Sequence, residues 1–208
     1  MFFKQIKVMA YKKYTGKEVD ELLGLELKSI KLFENQVIAN IAPTLWLIRS
    51  LEIAEEMALT TEKAVSEHLV SPILSEIKIA NKHKITLFSG EYLNVDKTRN
   101  LNGEIDFFFA KITHSFSKKA PILCIVEAKI GLIDTGISQA AAQMYAARLK
   151  NEQEGKPVPI IYGAVTDGKT WRFLKLEEQT LFTDLNILYL DNLQLLLGTL
   201  QWIIDFYN

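Results

Sequence analysis

The chain is short of cysteine, of histidine and of long apolar runs, and each shortage removes a class of protein. Cysteine occurs once, at Cys124, inside the apolar stretch Ile122–Val126. No disulfide can form within the chain, and Cys124 reads as a small core residue. A reduced, cytoplasmic setting is the expectation. The three histidines, His68, His83 and His114, stand at no metal-ligand spacing from one another or from Cys124, which argues against zinc. No apolar run approaches the length of a membrane span, and Met1–Lys13 lacks the apolar centre of a signal peptide, so no membrane partner is expected. An excess of either charge is missing too. Lysine and arginine number 24 against 25 aspartates and glutamates, a formal net charge of −1. That balance does not advertise a nucleic-acid binder. The basic series Lys4, Lys7, Lys12, Lys13 and Lys17, and the pair Lys118–Lys119, read as solvated faces.

What is present is a soluble globular composition, 49% apolar and 24% charged over 208 residues, enough for one domain with a sizeable core and an extension. Residues 1–58 read as an N-terminal helical extension. Thr15 and Glu18 have capping-box spacing ahead of Val19, Leu22 and Leu23. Pro43 suits the first turn of an apolar helix through Leu45, Trp46, Ile48, Leu51 and Met57. Residues 59–208 read as the main domain. Its periodicities predict a helix over 62–79 and strands over 85–95, 101–110 and 121–129. An alanine-rich helix over 136–152 follows, with Gly155 placed to stop it, then strands over 159–166 and 171–176 about an Asp167–Gly168 turn. A strand near 181–190 and a helix from about 192 close the chain. The order αβββαβ with trailing elements implies an α/β fold with a mixed sheet flanked by helices.

Polar residues at the end of a buried strand point to chemistry. Ile122–Val126 is apolar without a break, as in a strand covered on both faces, and it runs into Glu127-Ala128-Lys129. Residues two apart on a strand share a face, so Glu127 and Lys129 point the same way. Their desolvation needs a partner charge or a metal. Asp106 interrupts the hydrophobic segment Ile105–Phe109, and a hairpin symmetric about Phe116 sets it opposite Val126 or Glu127. Two carboxylates and a lysine would then share one patch. Such oxygen donors suit a hard cation, Mg²⁺ or Mn²⁺. A plain salt bridge among the same residues is the competing reading.

The stretches Gly103-Glu104-Ile105-Asp106 and Val126-Glu127-Ala128-Lys129 resemble the PD-(D/E)XK nuclease superfamily, and more narrowly the nuclease domain of type I restriction motor subunits and their free-standing bacterial relatives. The resemblance covers about Thr60 to Leu190 and implies a restriction-endonuclease-like fold. It implies Asp106 and Glu127 as metal ligands, and Lys129 as the group that positions the attacking water and offsets phosphate charge. The family's acidic residue on the first core helix maps to Glu62, with Glu67 the alternative. Its glutamine on the following helix maps to Gln139 and Gln143, which are spaced i, i+4. The function implied is Mg²⁺-dependent hydrolysis of DNA, with a homodimer as a possible assembly; the alternative is a non-catalytic relative that keeps the fold to bind DNA or protein. Gly163–Thr170 also matches the phosphate-loop expression G-x-x-x-x-G-K-[ST], but Trp171–Leu176 alternates like a strand where a helix is required, so no nucleotide cofactor is expected.

Overall fold

Elements form where the apolar periodicities fall, in a computed structural model that describes residues 11–112 and 121–207. A 3₁₀ turn at Tyr11–Lys13 leads to α1 (Gly16–Leu23), β1 (Glu26–Ile30) and α2 (Leu45–Glu55). A continuous helical rod follows, made of α3 (Glu62–Val65), a π-helical stretch (Ser66–Val70) and α4 (Ser71–Ala80). Next come β2 (Ile85–Asp96), β3 (Leu101–Lys111), β4 (Ile122–Ala128), a 3₁₀ turn (Ile133–Gly136) and α5 (Ile137–Gln153). The chain continues through β5 (Ile160–Thr166), β6 (Thr170–Glu177), β7 (Thr180–Asp184), β8 (Leu188–Tyr189) and α6 (Leu193–Phe206). Lys4, Lys7, His114, Phe116 and Lys118–Lys119 lie outside the described residues.

The strands make one mixed, mostly antiparallel sheet in the order β1-β7-β6-β5-β4-β3-β2, with β8 also on β6. Two pairings are parallel, β1 with β7 and β4 with β5. Helices cover both faces. On one face Ile125, Val165 and Leu174 pack under the alanine-rich α5, whose small side chains let it lie close to the strands. On the other, Cys124, Val126, Phe173 and Trp171 pack with Ile73, Leu74 and Ile77 of α4 and Leu200 and Ile203 of α6. β4 feeds both cores, Ile122 and Ile125 one and Leu123, Cys124 and Val126 the other, which is why its sequence is apolar without alternation. Among the described residues no helix is long and apolar enough to cross a membrane.

Residues 11–58 are more than a helical extension. β1 lies parallel along β7, Glu26 against Thr180 through Ile30 against Asp184. Tyr11, Tyr14, Val19, Leu23 and Leu25 enter the core beneath α5. Nothing in Glu26–Ile30 alternates in hydrophobicity, since all five residues stay exposed; the open edge of β7 makes this segment a strand. Pro43 does not open α2 either. Thr44 is the N-cap, its hydroxyl accepting from Leu47 N–H at 3.3 Å while buried Glu76 accepts from both the Thr44 amide and hydroxyl, at 2.7 and 2.8 Å. That network sets the N-cap one residue beyond the proline and the first helical residue, Leu45, two beyond it. α2 buries Leu47 and Ala54 and leaves Leu45, Trp46, Ile48 and Ile53 exposed.

The phosphate-loop look-alike is a hairpin. β5 turns through Asp167 and Gly168 into antiparallel β6. The Asp167 carboxylate accepts from Lys169 N–H, Thr170 N–H and the Thr170 hydroxyl, and Gly168 takes the left-handed conformation that the turn needs, φ 85°.

Candidate functional site

The site forms where β3 and β4 part. Their ladder runs from Ala110 against Ile122 to Phe107 against Val126, so Asp106 and Glu127 come next on either strand. There the Asp106 side chain replaces a ladder bond, its Oδ2 accepting the Ala128 N–H at 2.8 Å. Beyond the end of β4, Lys129 N–H donates to Thr166 O at 2.7 Å, which carries the strand direction one residue further and holds Lys129 against β5. Glu127 and Lys129 are both buried.

Around these three the sequence-predicted residues converge. Lys129 Nζ donates to Glu127 Oε1 at 2.6 Å and to Gln139 Oε1 at 3.1 Å, and Glu62 Oε1 lies 3.7 Å away. Gln143 Nε2 donates to Glu127 Oε2 at 2.8 Å, while Gln143 Oε1 is buried with no hydrogen-bond partner among the described residues. Gln139 and Gln143 sit one turn apart on α5, so one helix face orients the lysine and the carboxylate together. Glu67 instead pairs with Lys63 at 3.6 Å, its side chain 55% exposed. Of the two helix acids, Glu62 is the one that meets the cluster. Asp106, Glu62 and Glu67 line a cleft of about 540 Å³ between the helical rod and β2–β3, with Ser66, Ser71 and Gly90 also on its wall. The π-helical stretch contributes Ser66 and Glu67 to that wall.

Two residues of this neighbourhood were not identified from the sequence as parts of the site. Lys12 Nζ donates to Glu62 Oε2 at 3.3 Å across 50 residues of chain, a contact no linear pattern could reveal. Gly136 lies against the stem of Lys129, where an added Cβ would come within 3.0 Å of its Cγ and 3.2 Å of its Cε. The absence of a side chain there is what lets the lysine lie flat toward Glu127.

The electrostatics follow from three carboxylates facing two ammonium groups. Burial, with the neighbouring Asp106 adding to it, pushes the Glu127 carboxyl up to about 8 against the pull of Lys129 and Gln143. Burial also raises Asp106, opposed by the Ala128 amide and by the charges of Lys129 and Lys12. For Lys129 burial acts downward, but Glu127, Glu62 and Asp106 outweigh it and the ammonium is held above its ordinary value. Glu127 is thus drawn toward its neutral form while its partner is drawn toward its charged form. The three carboxylates outnumber the two ammonium groups by one, and that excess negative charge favours a proton on the cluster.

The sign of the resulting pH dependence is fixed. Glu127 and Asp106 both hold protons more tightly folded than unfolded, so their contribution to stability is full below the ordinary carboxylate range, and that of Glu127 is lost as pH rises through about 8. We therefore expect the melting temperature in EDTA to fall between pH 5 and 9 more steeply for wild type than for Glu127→Gln. Parallel melting profiles for the two proteins would refute this.

Among the described residues no three histidine, cysteine, aspartate or glutamate side chains are grouped closely enough to hold a metal ion by themselves. Asp106 on the cleft wall and the buried Glu127 behind it are the acids that could serve Mg²⁺, which takes one or two protein carboxylates and completes its shell with substrate oxygens and water. No protein-family model matches the chain, and no curated protein matches it. The chemistry of the site is carried by its own geometry.

Proposed function

We propose that the protein hydrolyses phosphodiester bonds of DNA with Mg²⁺ or Mn²⁺, on a restriction-endonuclease-like core of the PD-(D/E)XK type formed by α4, β2, β3, β4, α5 and β5. The observation that supports this best is the meeting of Asp106, Glu127 and Lys129 where β3 and β4 part, beside an open cleft. Asp106 and Glu127 would hold the cation, with Glu62 at the cleft side; bound there, it would supply the charge that polarises a phosphate and acidifies water. Lys129 faces the same point with its ammonium, and its role is to offset charge that develops on the phosphate. Gln139 and Gln143 fix the directions of Lys129 and Glu127, so neither must reorganise as charge moves. Incubation with linear and single-stranded DNA in Mg²⁺, Mn²⁺ or EDTA tests the proposal. Cation-dependent cutting is expected, and no cutting under any condition would refute it.

One observation favours a second reading. Lys129 Nζ already has three partners, Glu127, Gln139 and Glu62, as a structural ion cluster would. On that reading the protein keeps the fold as a DNA- or protein-binding module.

Duplex cleavage calls for two sites, and the exposed apolar residues of α2 offer a surface for a homodimer. Light scattering at micromolar concentration should then give twice the chain mass, falling to the monomer value in Trp46→Glu. Monomer mass for wild type would remove the dimer from the proposal.

A further inference from the structure

The first described residues are pinned to the sheet in a way that aims one cation at the acidic cluster. Tyr11 is buried and its hydroxyl donates to Leu93 O at 2.8 Å. Tyr14 is buried too, its hydroxyl donating to Arg99 O. Both anchors lie on the β2–β3 hairpin, so the backbone between them is held from both sides. Lys12 is the residue they bracket. Its side chain stays 41% exposed, reaches Glu62 Oε2 at 3.3 Å, and through Glu62 Oε1 stands one contact from Lys129. Lys63 makes the contrast. It lines the cleft, which Lys12 reaches only through Glu62, but at 82% side-chain exposure its ion pair is with Glu67 on its own helical rod.

A lysine anchored only to satisfy Glu62 would be a costly arrangement for little return, since an ion pair this exposed contributes little. For the same reason the pair opens readily when a stronger anion arrives. A phosphodiester backbone is such an anion, and the charged lining of the cleft that would receive it is four acids, Glu62, Glu67, Glu104 and Asp106, against Lys63 alone. A polyanion can settle there only if cations at the rim take its neighbouring phosphates.

We propose that Lys12 is a substrate-contacting residue, its ammonium exchanging Glu62 for a backbone phosphate adjacent to the one that meets Asp106, Glu127 and Lys129. The inference rests on the proposed cleavage of nucleic acid and adds to it a contact from outside the core. It is a positioning contact, sequence-independent and salt-sensitive.

The test is steady-state cleavage of a labelled 20-base-pair duplex in Mg²⁺ over a series of NaCl concentrations, for wild type, Lys12→Ala, Lys12→Arg and Lys63→Ala. Lys12→Ala should raise KM about tenfold with kcat nearly unchanged, and should shrink the slope of log(1/KM) against log[NaCl] by about one. Lys12→Arg should restore both, and Lys63→Ala should alter neither as much. Melting curves run alongside separate folding from binding. A Lys12→Ala protein with wild-type KM and salt slope, whatever its melting temperature, overturns the inference and leaves the nuclease reading standing. Wild type that neither binds nor cuts the duplex overturns both. Should Lys12→Ala prove unstable, Lys12→Gln read against Lys12→Arg gives the same comparison.

Discussion

Replacing Glu127 or Asp106 by its amide should abolish cleavage and also erase any stabilisation by Mg²⁺. Glutamine and asparagine keep the shape and the acceptor oxygen, so Ala128 N–H and Lys129 Nζ remain partnered while the charge that would hold a cation is gone. At a hundredfold excess of Mg²⁺ over its dissociation constant, wild type should gain about 2.7 kcal/mol, roughly 5–10 °C in melting temperature for a chain of this size. Glu127→Gln and Asp106→Asn should gain nothing. Lys129→Met should keep the gain and lose about 10²–10³-fold in rate, because its charge acts on the phosphate and not on the cation. A structural ion cluster predicts the reverse pattern. Breaking a buried pair would then cost about 3–5 kcal/mol, and Lys129→Met would melt roughly 6–20 °C lower with no response to Mg²⁺ in any variant. Melting curves of four proteins, with and without Mg²⁺, therefore distinguish the two readings before any substrate is tried.

The candidate site was legible because its residues break local rules. A glutamate and a lysine at the end of an unbroken apolar strand, and an aspartate inside Ile105–Phe109, are polar groups where burial is dictated by their neighbours, and the structure buries Glu127 and Lys129. The two glutamines entered through the family resemblance, and helical spacing added only that they share a face of α5, the face that meets Lys129 and Glu127. The symmetric hairpin estimate put Asp106 opposite Val126 or Glu127, and the ladder ends one step short of that second pairing. Lys12 and Gly136 were illegible for a different reason. Their parts depend on what lies across space, a carboxylate 50 residues away and a lysine stem, and neither leaves a periodic trace. β1 was missed on the same ground. Its side chains are all exposed, so only the backbone edge of β7 defines it.

Removal of residues 1–58 should leave a chain that cannot hold its fold, although the order α4, β2, β3, β4, α5, β5 survives the cut. The deletion strips β1 from β7 and leaves that edge bare. It also takes Tyr11, Val19, Leu23 and Leu25 from the core beneath α5, and Leu47 from the opposite face. At about 1.5–3 kcal/mol for each large side chain, the lost burial alone is of the order of the 5–15 kcal/mol that stabilises a typical domain. The segment before α2 crosses α6 so closely that a Cβ on Gly198 would collide with the Ala39 carbonyl, and Ile41 N–H donates to Gln194 O at 3.1 Å. That contact shows a helix shaped to receive the N-terminal chain. Expressed alone, residues 59–208 should be insoluble, or lack near-ultraviolet circular dichroism and a cooperative melt. A truncated protein that melts cooperatively within a few degrees of the full chain would show that the first 58 residues are an appendage after all, and the anchoring that aims Lys12 at Glu62 would lose its structural basis.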